Sequence, residues 1–286
     1  MLQIGIRLHD VNTRASAQEQ TLEARAAKAR DEGFCCVHLA PQKVMKGITF
    51  DGPAFHEGLA HYFRNVFARN ELDVAVLGCY MNLADPSPQR LDLFKERYFG
   101  SIRVAALAGM GMVGTETGAP NSEYKSDRNT HSEEALQTFI HNLADVVAYA
   151  EHYGVTIAIE PVWKHIVFDA QRALKVIRSI ASPNLRIIFD PVNLLCVDNI
   201  DRRDQVISET LDLLCDRIAA VHLKDYTLEN SELQYTAAGK GEMDFRPLIR
   251  ELISKKPYIQ ATLENTCNEN AVEARQFIET LCLTHS

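Results

Sequence analysis

Val155-Thr156-Ile157-Ala158-Ile159-Glu160 and, one helix length later, Leu185-Arg186-Ile187-Ile188-Phe189-Asp190 are the two runs on which the fold turns. Each has the length of one strand and is nearly continuous in Ile, Val, Leu, Ala and Phe, without the strict polar alternation of a sheet that faces water. Such runs belong to strands covered on both faces, as in parallel sheets flanked by helices. Between them, residues near 169–180 carry helical spacing, and Pro183-Asn184 breaks the chain before the second run. The segment therefore reads as strand, helix, parallel strand.

Working outward, the same unit recurs along the whole chain. Strands are expected near 2–8, 34–39, 73–80, 110–114, 155–160, 185–190, 218–223 and 258–264, and helices near 17–32, 54–70, 88–107, 131–153, 169–180, 203–216, 245–255 and 270–283. Gly33 and Gly154 stand where helices give way to strands, and Ser132 with Glu133 and Glu134 forms a helix start with acids where the dipole favours them. Eight of each element in 286 residues, against roughly 250 for a complete (β/α)8 barrel, predict an α/β protein with one TIM barrel domain over residues 1–286. The competing doubly wound sheet would carry a Gly-rich phosphate loop after its first strand. Here that stretch is Leu8-His9-Asp10-Val11-Asn12-Thr13-Arg14. The longest irregular stretch, near 115–130, is expected to be a loop after strand four.

A net charge of −8 with no dense Lys/Arg cluster argues against a partner bound through its phosphate backbone, so no nucleic acid is expected. No apolar run approaches the roughly 20 residues of a membrane span, and Met1–Leu8 reads as a first strand and not as a signal peptide, so a cytoplasmic protein without membrane contact is expected. The seven scattered cysteines suit reduced thiols, not a disulfide framework. Oligomeric state is open, with a homo-oligomer compatible.

Glu160, Asp190, His222 and Glu264 fall at the ends of the last four expected strands. In a closed parallel barrel those ends surround one mouth, where enzymes of this fold place their chemistry. Taken singly, Glu160 can merely end a strand, Asp190 can cap a turn, and His222 can be a hydrogen-bonded buried histidine. Together, three carboxylates and an imidazole at one height repel one another unless a positive charge lies between them. One divalent ion answers that need, and an O3N donor set with room for water or substrate suits manganese, magnesium or cobalt better than it suits a closed structural zinc site.

The segments Ile157-Ala158-Ile159-Glu160-Pro161, Ile188-Phe189-Asp190-Pro191-Val192-Asn193, Val221-His222-Leu223-Lys224-Asp225, Gly239-Lys240-Gly241-Glu242-Met243-Asp244-Phe245 and Leu263-Glu264-Asn265 resemble the xylose isomerase-like barrels. That family includes tagatose 3-epimerase-type epimerases, hydroxypyruvate isomerase, inosose-handling enzymes and the endonuclease IV group. The resemblance covers nearly the whole chain. It implies that Glu160, Asp190, His222 and Glu264 bind one Mn²⁺-like ion and that Glu160 and Glu264 double as catalytic acid and base. Many members carry a histidine three residues after the strand-six aspartate, where this chain has Asn193. Asparagine can hydrogen-bond a substrate hydroxyl but cannot exchange a proton at neutral pH.

Further candidates for contact with a substrate are Lys224, on the same face of its strand as His222, and His38 and His9 near the ends of strands two and one. Trp163, the only tryptophan, is expected in a loop over the mouth, where it could stack on a sugar or anchor the loop, and Glu116 ends strand four. The alternative for Lys224 is an ion pair with Asp225. The function expected is a metal-dependent isomerase or epimerase acting on a small keto-sugar or polyol derivative through an enediolate. A dehydratase or lyase would share the first half of that chemistry. An endonuclease IV-like repair enzyme would need a histidine-rich, three-metal, cationic site, and a non-catalytic sugar-binding barrel would lack a metal ligand.

Overall fold

The computed structural model describes residues 1–12 and 20–284. The chain runs β1 (Gln3–Arg7), α1 (Leu22–Asp31), β2 (Cys36–Leu39), α2 (Pro41–Val44), α3 (Glu57–Arg69), β3 (Asp73–Gly78), α4 (Pro88–Ala108) and β4 (Met112–Glu116). It continues with α5 (Glu133–Tyr153), β5 (Thr156–Glu160), α6 (Ala170–Ile180), β6 (Leu185–Phe189), α7 (Arg203–Leu214) and β7 (Ile218–Leu223). A hairpin, β8 (Asp225–Glu229) and β9 (Glu232–Thr236), precedes α8 (Phe245–Lys255), β10 (Gln260–Leu263) and α9 (Ala271–Leu283). Eight parallel strands close in the order β1-β10-β7-β6-β5-β4-β3-β2, which is the (β/α)8 barrel that the repeated units predict.

The helix ends carry the punctuation read from the sequence. Ser132 accepts a hydrogen bond from the Ala135 amide at 3.1 Å and so caps α5. At its other end Gly154 takes φ +64°, a left-handed conformation that a residue with a Cβ adopts only under strain. The helix expected at 17–32 begins with residues 17–19, which lie outside the described residues; the remainder forms α1. The hairpin was not foreseen. Its turn residues Asn230 and Ser231 both have positive φ, the geometry of a two-residue turn matched to strand twist.

Strand parity explains why the mouth is polar. Successive side chains alternate between the barrel interior and the helix layer. The interior is filled low down by small and apolar side chains, including Cys36, Val76, Met112, Ala158, Ile188 and Ala220. A Cβ at Gly114 would run into Val76 and Ile188, which places Gly114 in the same layer. Two residues further along each strand, the same parity delivers His38, Gly78, Glu116, Glu160, Asp190 and His222 to the top. The opposite parity packs Val37, Leu77, Val113, Ile157, Ile159, Phe189 and Val221 against the helices in one continuous apolar layer. Fully burying one such side chain stabilises the fold by about 1.5–3 kcal/mol, so a slip of one residue in any strand would lose the core as well as the site. Among the described residues no helix is long and apolar enough to cross a membrane.

Candidate active site

Glu160 is the last residue of β5, Asp190 follows β6, His222 is the penultimate residue of β7, and Glu264 follows β10; all four are buried. The sequence-derived quartet is therefore brought together at one end of the barrel. His222 Nδ1 lies 3.1 Å from Glu160 Oε1 and 3.3 Å from Glu264 Oε1, between the two glutamates. Donor atoms of Glu160, Asp190 and His222 fall within 4.8 Å of one another, and so do those of His38, His222 and Glu264. The two sets share His222. His38 thus stands beside the metal-type donors, stacked on the His222 ring with centroids 5.0 Å apart.

The charges in this cluster are strongly coupled. Burial opposes charge on His222, but Glu160 and Glu264 outweigh it and push its pKa up to about 9. Burial alone would raise the Glu264 pKa, yet His222, Lys224 and Arg7 drive it well below the usual carboxylate range. Asp190 is pushed up to about 6 by burial, against the pull of Lys224. His38 goes the other way: burial and the His222 charge hold it neutral, with its pKa well below the usual imidazole value. A buried cluster that draws a proton onto His222 is short of positive charge. One divalent ion fits that shortage and the O3N donor chemistry, and the buried His222 Nε2 has no hydrogen-bond partner of its own.

Asp190 has two roles, one for each oxygen. Oδ1 accepts from the Val192 and Asn193 amides at 2.9 and 3.1 Å, which caps the short turn after β6, while Oδ2 lies 2.7 Å from Lys224 Nζ. Lys224 also donates to Asn193 Oδ1 at 2.6 Å and stands 3.5 Å from Glu264 Oε2. Its partner is therefore Asp190, and the sequence alternative of a Lys224–Asp225 pair is wrong. Asn193 completes a chain: its amide nitrogen donates to Glu160 Oε1 at 2.7 Å while its oxygen accepts from Lys224. Reversing that amide would set oxygen against carboxylate and nitrogen against ammonium, so its orientation is fixed.

Asp225 points away from the mouth and explains the glycine motif that follows. Its carboxylate accepts from the backbone amides of Tyr226 at 2.8 Å, Gly239 at 3.1 Å, Gly241 at 3.0 Å and Met243 at 2.9 Å. A Cβ on Gly241 would collide with the Tyr226 carbonyl and with the same carboxylate. Asp244 then caps α8 through the Arg246 amide at 3.0 Å, and Phe245 is buried beneath it. The motif is a clamp that fixes the strand carrying His222 and Lys224.

Above the cluster opens a cavity of about 390 Å³ lined by Arg7, His9, Lys43, Tyr80, Glu116, Glu160, Val162, Lys164, His165, Asn193, Lys224, Tyr235, Glu264 and Asn265. Glu116 lies in it, held by the Tyr124 hydroxyl, which donates at 3.3 Å, and facing His165 Nδ1 at 3.7 Å. Burial, followed by the Glu264 charge, raises its pKa. His9 also lines the mouth. Trp163 does not: it packs edge-on against His131 and Phe168 and borders a neighbouring cleft with Leu194 and Cys196. Its amide donates to the Asn193 carbonyl at 2.7 Å, so it anchors the loop after β5.

Sequence reasoning missed Arg7, whose Nη1 lies 3.3 Å from Glu264 Oε2, and Tyr80, whose hydroxyl meets His38 Nε2 at 2.7 Å. Both occupy strand ends, β1 and just beyond β3, and the rule that found the carboxylates would have found them had it not been confined to metal donors. Tyr235 came with the unforeseen hairpin; Lys224 Nζ sits 4.9 Å from its ring centroid.

Residues 26–281 match the family model for the xylose isomerase-like TIM barrel. No curated protein matches the sequence. Among solved structures the chain is similar to a D-tagatose 3-epimerase-like protein, with 16% identity over 99% of this chain and 98% of that one and a TM-score of 0.77. It is similar to the 3-keto-D-glucoside 4-epimerase YcjR from E. coli in its apo form, with 13% identity over 98% and 100% of the two chains and a TM-score of 0.73. It is also similar to the IOLI protein solved with a bound zinc atom, with 13% identity over 100% and 99% and a TM-score of 0.74. At such identities the likeness establishes the fold.

Proposed function

This chain belongs to the xylose isomerase-like TIM barrel family, and we propose that it is, over residues 1–286, a one-domain divalent-metal-dependent isomerase or epimerase of a small keto-sugar or polyol derivative. The observation that carries the reading is the pair of glutamates, Glu160 and Glu264, whose Oε1 atoms both converge on His222 Nδ1 at the floor of a sugar-sized cavity. Glu160, Asp190, His222 and Glu264 would hold the ion, which when bound polarises adjacent carbonyl and hydroxyl oxygens and so acidifies the neighbouring C–H.

The remaining steps belong to the chain's own side chains. Arg7 and Lys224 hold Glu264 ionised, ready to take a proton from carbon, and Asn193 fixes the Glu160 carboxylate opposite it. Donation of a second proton by Glu160 to the opposite face of the same carbon inverts it and leaves Glu264 protonated until exchange with solvent resets the pair; return of the first proton by Glu264 to the adjacent carbon, with the hydroxyl proton passing between the two oxygens, exchanges carbonyl and hydroxyl positions. Lys224, which lines the cavity, would answer the charge that develops on the substrate oxygens, while His38 lies buried beside His222 and is tied to Tyr80, which does line the cavity. The YcjR and tagatose-epimerase-like neighbours, which carry epimerase in their names, support this reading. A dehydratase would use the same proton abstraction and then expel a hydroxyl.

The test is metal analysis of the purified protein, followed by a panel of keto-sugars and inososes in deuterated water. Uptake of deuterium at carbon with one bound ion per chain is the expected result. Three bound zinc ions, or no exchange in any member of the panel by metal-loaded protein, would count against it.

A further inference from the structure

Resting on that reading, we propose that the substrate carries an anionic group, a phosphate or a carboxylate, which Lys43 and Lys164 receive at the rim of the mouth. Lys43 stands on α2 and Lys164 in the loop after β5; both are exposed and both line the cavity above the metal-type cluster. Among the described residues neither ammonium has an ion pair or hydrogen bond, and Lys43 meets only the Tyr80 ring, 5.7 Å from its centroid. The other two cations of the site are engaged, Arg7 with Asp10 and Glu264, Lys224 with Asp190 and Asn193.

Lone lysines at a surface are ordinary, and the charge balance of the mouth is what sets these two apart. Around the mouth the five carboxylates Asp10, Glu116, Glu160, Asp190 and Glu264 face the four cations Arg7, Lys43, Lys164 and Lys224. His9 and His165 add nothing at neutral pH, because burial holds their pKa values down to about 3 and about 4. A divalent ion on the four ligands therefore leaves one positive charge in surplus, at the mouth of a chain whose net charge is −8. A neutral sugar leaves that surplus unanswered, whereas a phosphate or carboxylate cancels it. Two long, flexible point charges on separate loops suit such a group, since lysine binds phosphate and carboxylate without the rigid fork of arginine. Held at the rim, the anion would orient the reacting carbons over the glutamates below.

The probes are glycerol, glycerol phosphate and glycerate, titrated calorimetrically into Mn²⁺-loaded protein and into a Lys43→Gln/Lys164→Gln double variant whose metal content is measured in parallel. The expected result is that one anionic probe binds at least about tenfold more tightly than glycerol, that the variant loses about tenfold of this preference with its metal intact, and that added salt erodes it. Whether phosphate or carboxylate leads identifies the source of the charge. Equal binding of charged and neutral probes, no binding of either, or a preference that depends on the metal but not on the lysines would overturn the proposal. The isomerase reading fails separately: a lysine-dependent anion site without deuterium exchange into any substrate sinks that reading and leaves this one standing.

Discussion

Replacing Lys224 by methionine should lower the stability of the metal-free protein and yet tighten its hold on the metal. The ammonium is the only cation within 3 Å of Asp190 Oδ2 among the described residues, and its side chain is 5% exposed. Removing one partner of a buried pair costs about 3–5 kcal/mol when the other charge is stranded. Here the stranded groups are Asp190 Oδ2 and the Asn193 oxygen, which accepts from Lys224 at 2.6 Å. With a divalent ion bound, Asp190 has a new counter-charge, and only the Asn193 acceptor is left, at about 1–3 kcal/mol. The difference, about 2 kcal/mol, must reappear in a thermodynamic cycle as roughly 30-fold tighter metal binding by the variant. Thermal unfolding with chelator and with saturating Mn²⁺ reads the first half, where the metal-free midpoint should fall by roughly 6 °C or more. Competition with a fluorescent chelator reads the second. Because Lys224 lowers the Asp190 pKa, which is about 6 beside the ammonium, its removal moves proton uptake by Asp190 to higher pH, and the metal-free penalty should shrink as pH falls through that range. An equal loss of stability in both forms with unchanged metal affinity would refute the view that Lys224 and the ion share Asp190.

Four further outcomes follow from the geometry. Because the His222 pKa is raised from 6.5 to about 9, its contribution to the stability of the metal-free protein is fully present below pH 6.5 and lost as pH rises through about 9; metal affinity should climb across the same window, by about tenfold per unit for each proton displaced, as isothermal titration at stepped pH will show. Glu264→Gln keeps the shape and one ligand oxygen but cannot exchange a proton, so deuterium uptake into a true substrate should fall by about 10²- to 10⁴-fold while metal is still measurable; uptake at the unmodified rate would move the base to another residue. Asp225→Ala strands four backbone amides, each worth about 1–3 kcal/mol, so the variant should unfold early in urea or fail to accumulate, and a normal midpoint would show that the glycine motif is not a clamp. Trp163→Phe should leave substrate KM within about threefold, since it lies outside the mouth; a rise of about tenfold or more would return it to the site.

The parts legible in the sequence were those written in local chemistry. Runs such as Ile187-Ile188-Phe189 declare a strand covered on both faces, and a carboxylate or imidazole at the same point of four successive units is improbable without a common purpose, so barrel and quartet could both be read. What was not legible depended on which way a side chain turns once the barrel closes. Lys224 and Asp225 are neighbours in sequence and obvious partners for each other, but strand parity sends one into the mouth and the other outward to four backbone amides. Trp163 follows a strand that ends at the site, yet its ring turns to Phe168 of its own loop and to His131, which is far from it in sequence. Arg7 and Tyr80 escaped because neither is a metal donor, although the barrel treats them as equivalent strand-end positions. The hairpin β8–β9 was overlooked because Asn230-Ser231 is a weaker turn signal than Asn-Gly.

That hairpin has an implication for how barrels of this plan diversify. Its two strands leave and rejoin the scaffold at Asp225 and Thr236, which face each other across the ladder, and Asp225 is at the same time bolted to the glycine loop. Changes at the Asn230-Ser231 turn lie at the far end of the ladder from that junction, whereas Tyr235, whose ring centroid is 4.9 Å from Lys224 Nζ, lies next to it. Tyr235, on the arm that returns to the junction, is the part that reaches the cavity. The hairpin therefore behaves as an interchangeable visor: residues around Asn230 can be inserted, deleted or grafted from another barrel to reshape what enters the mouth, while the proton-transfer machinery beneath keeps its alignment.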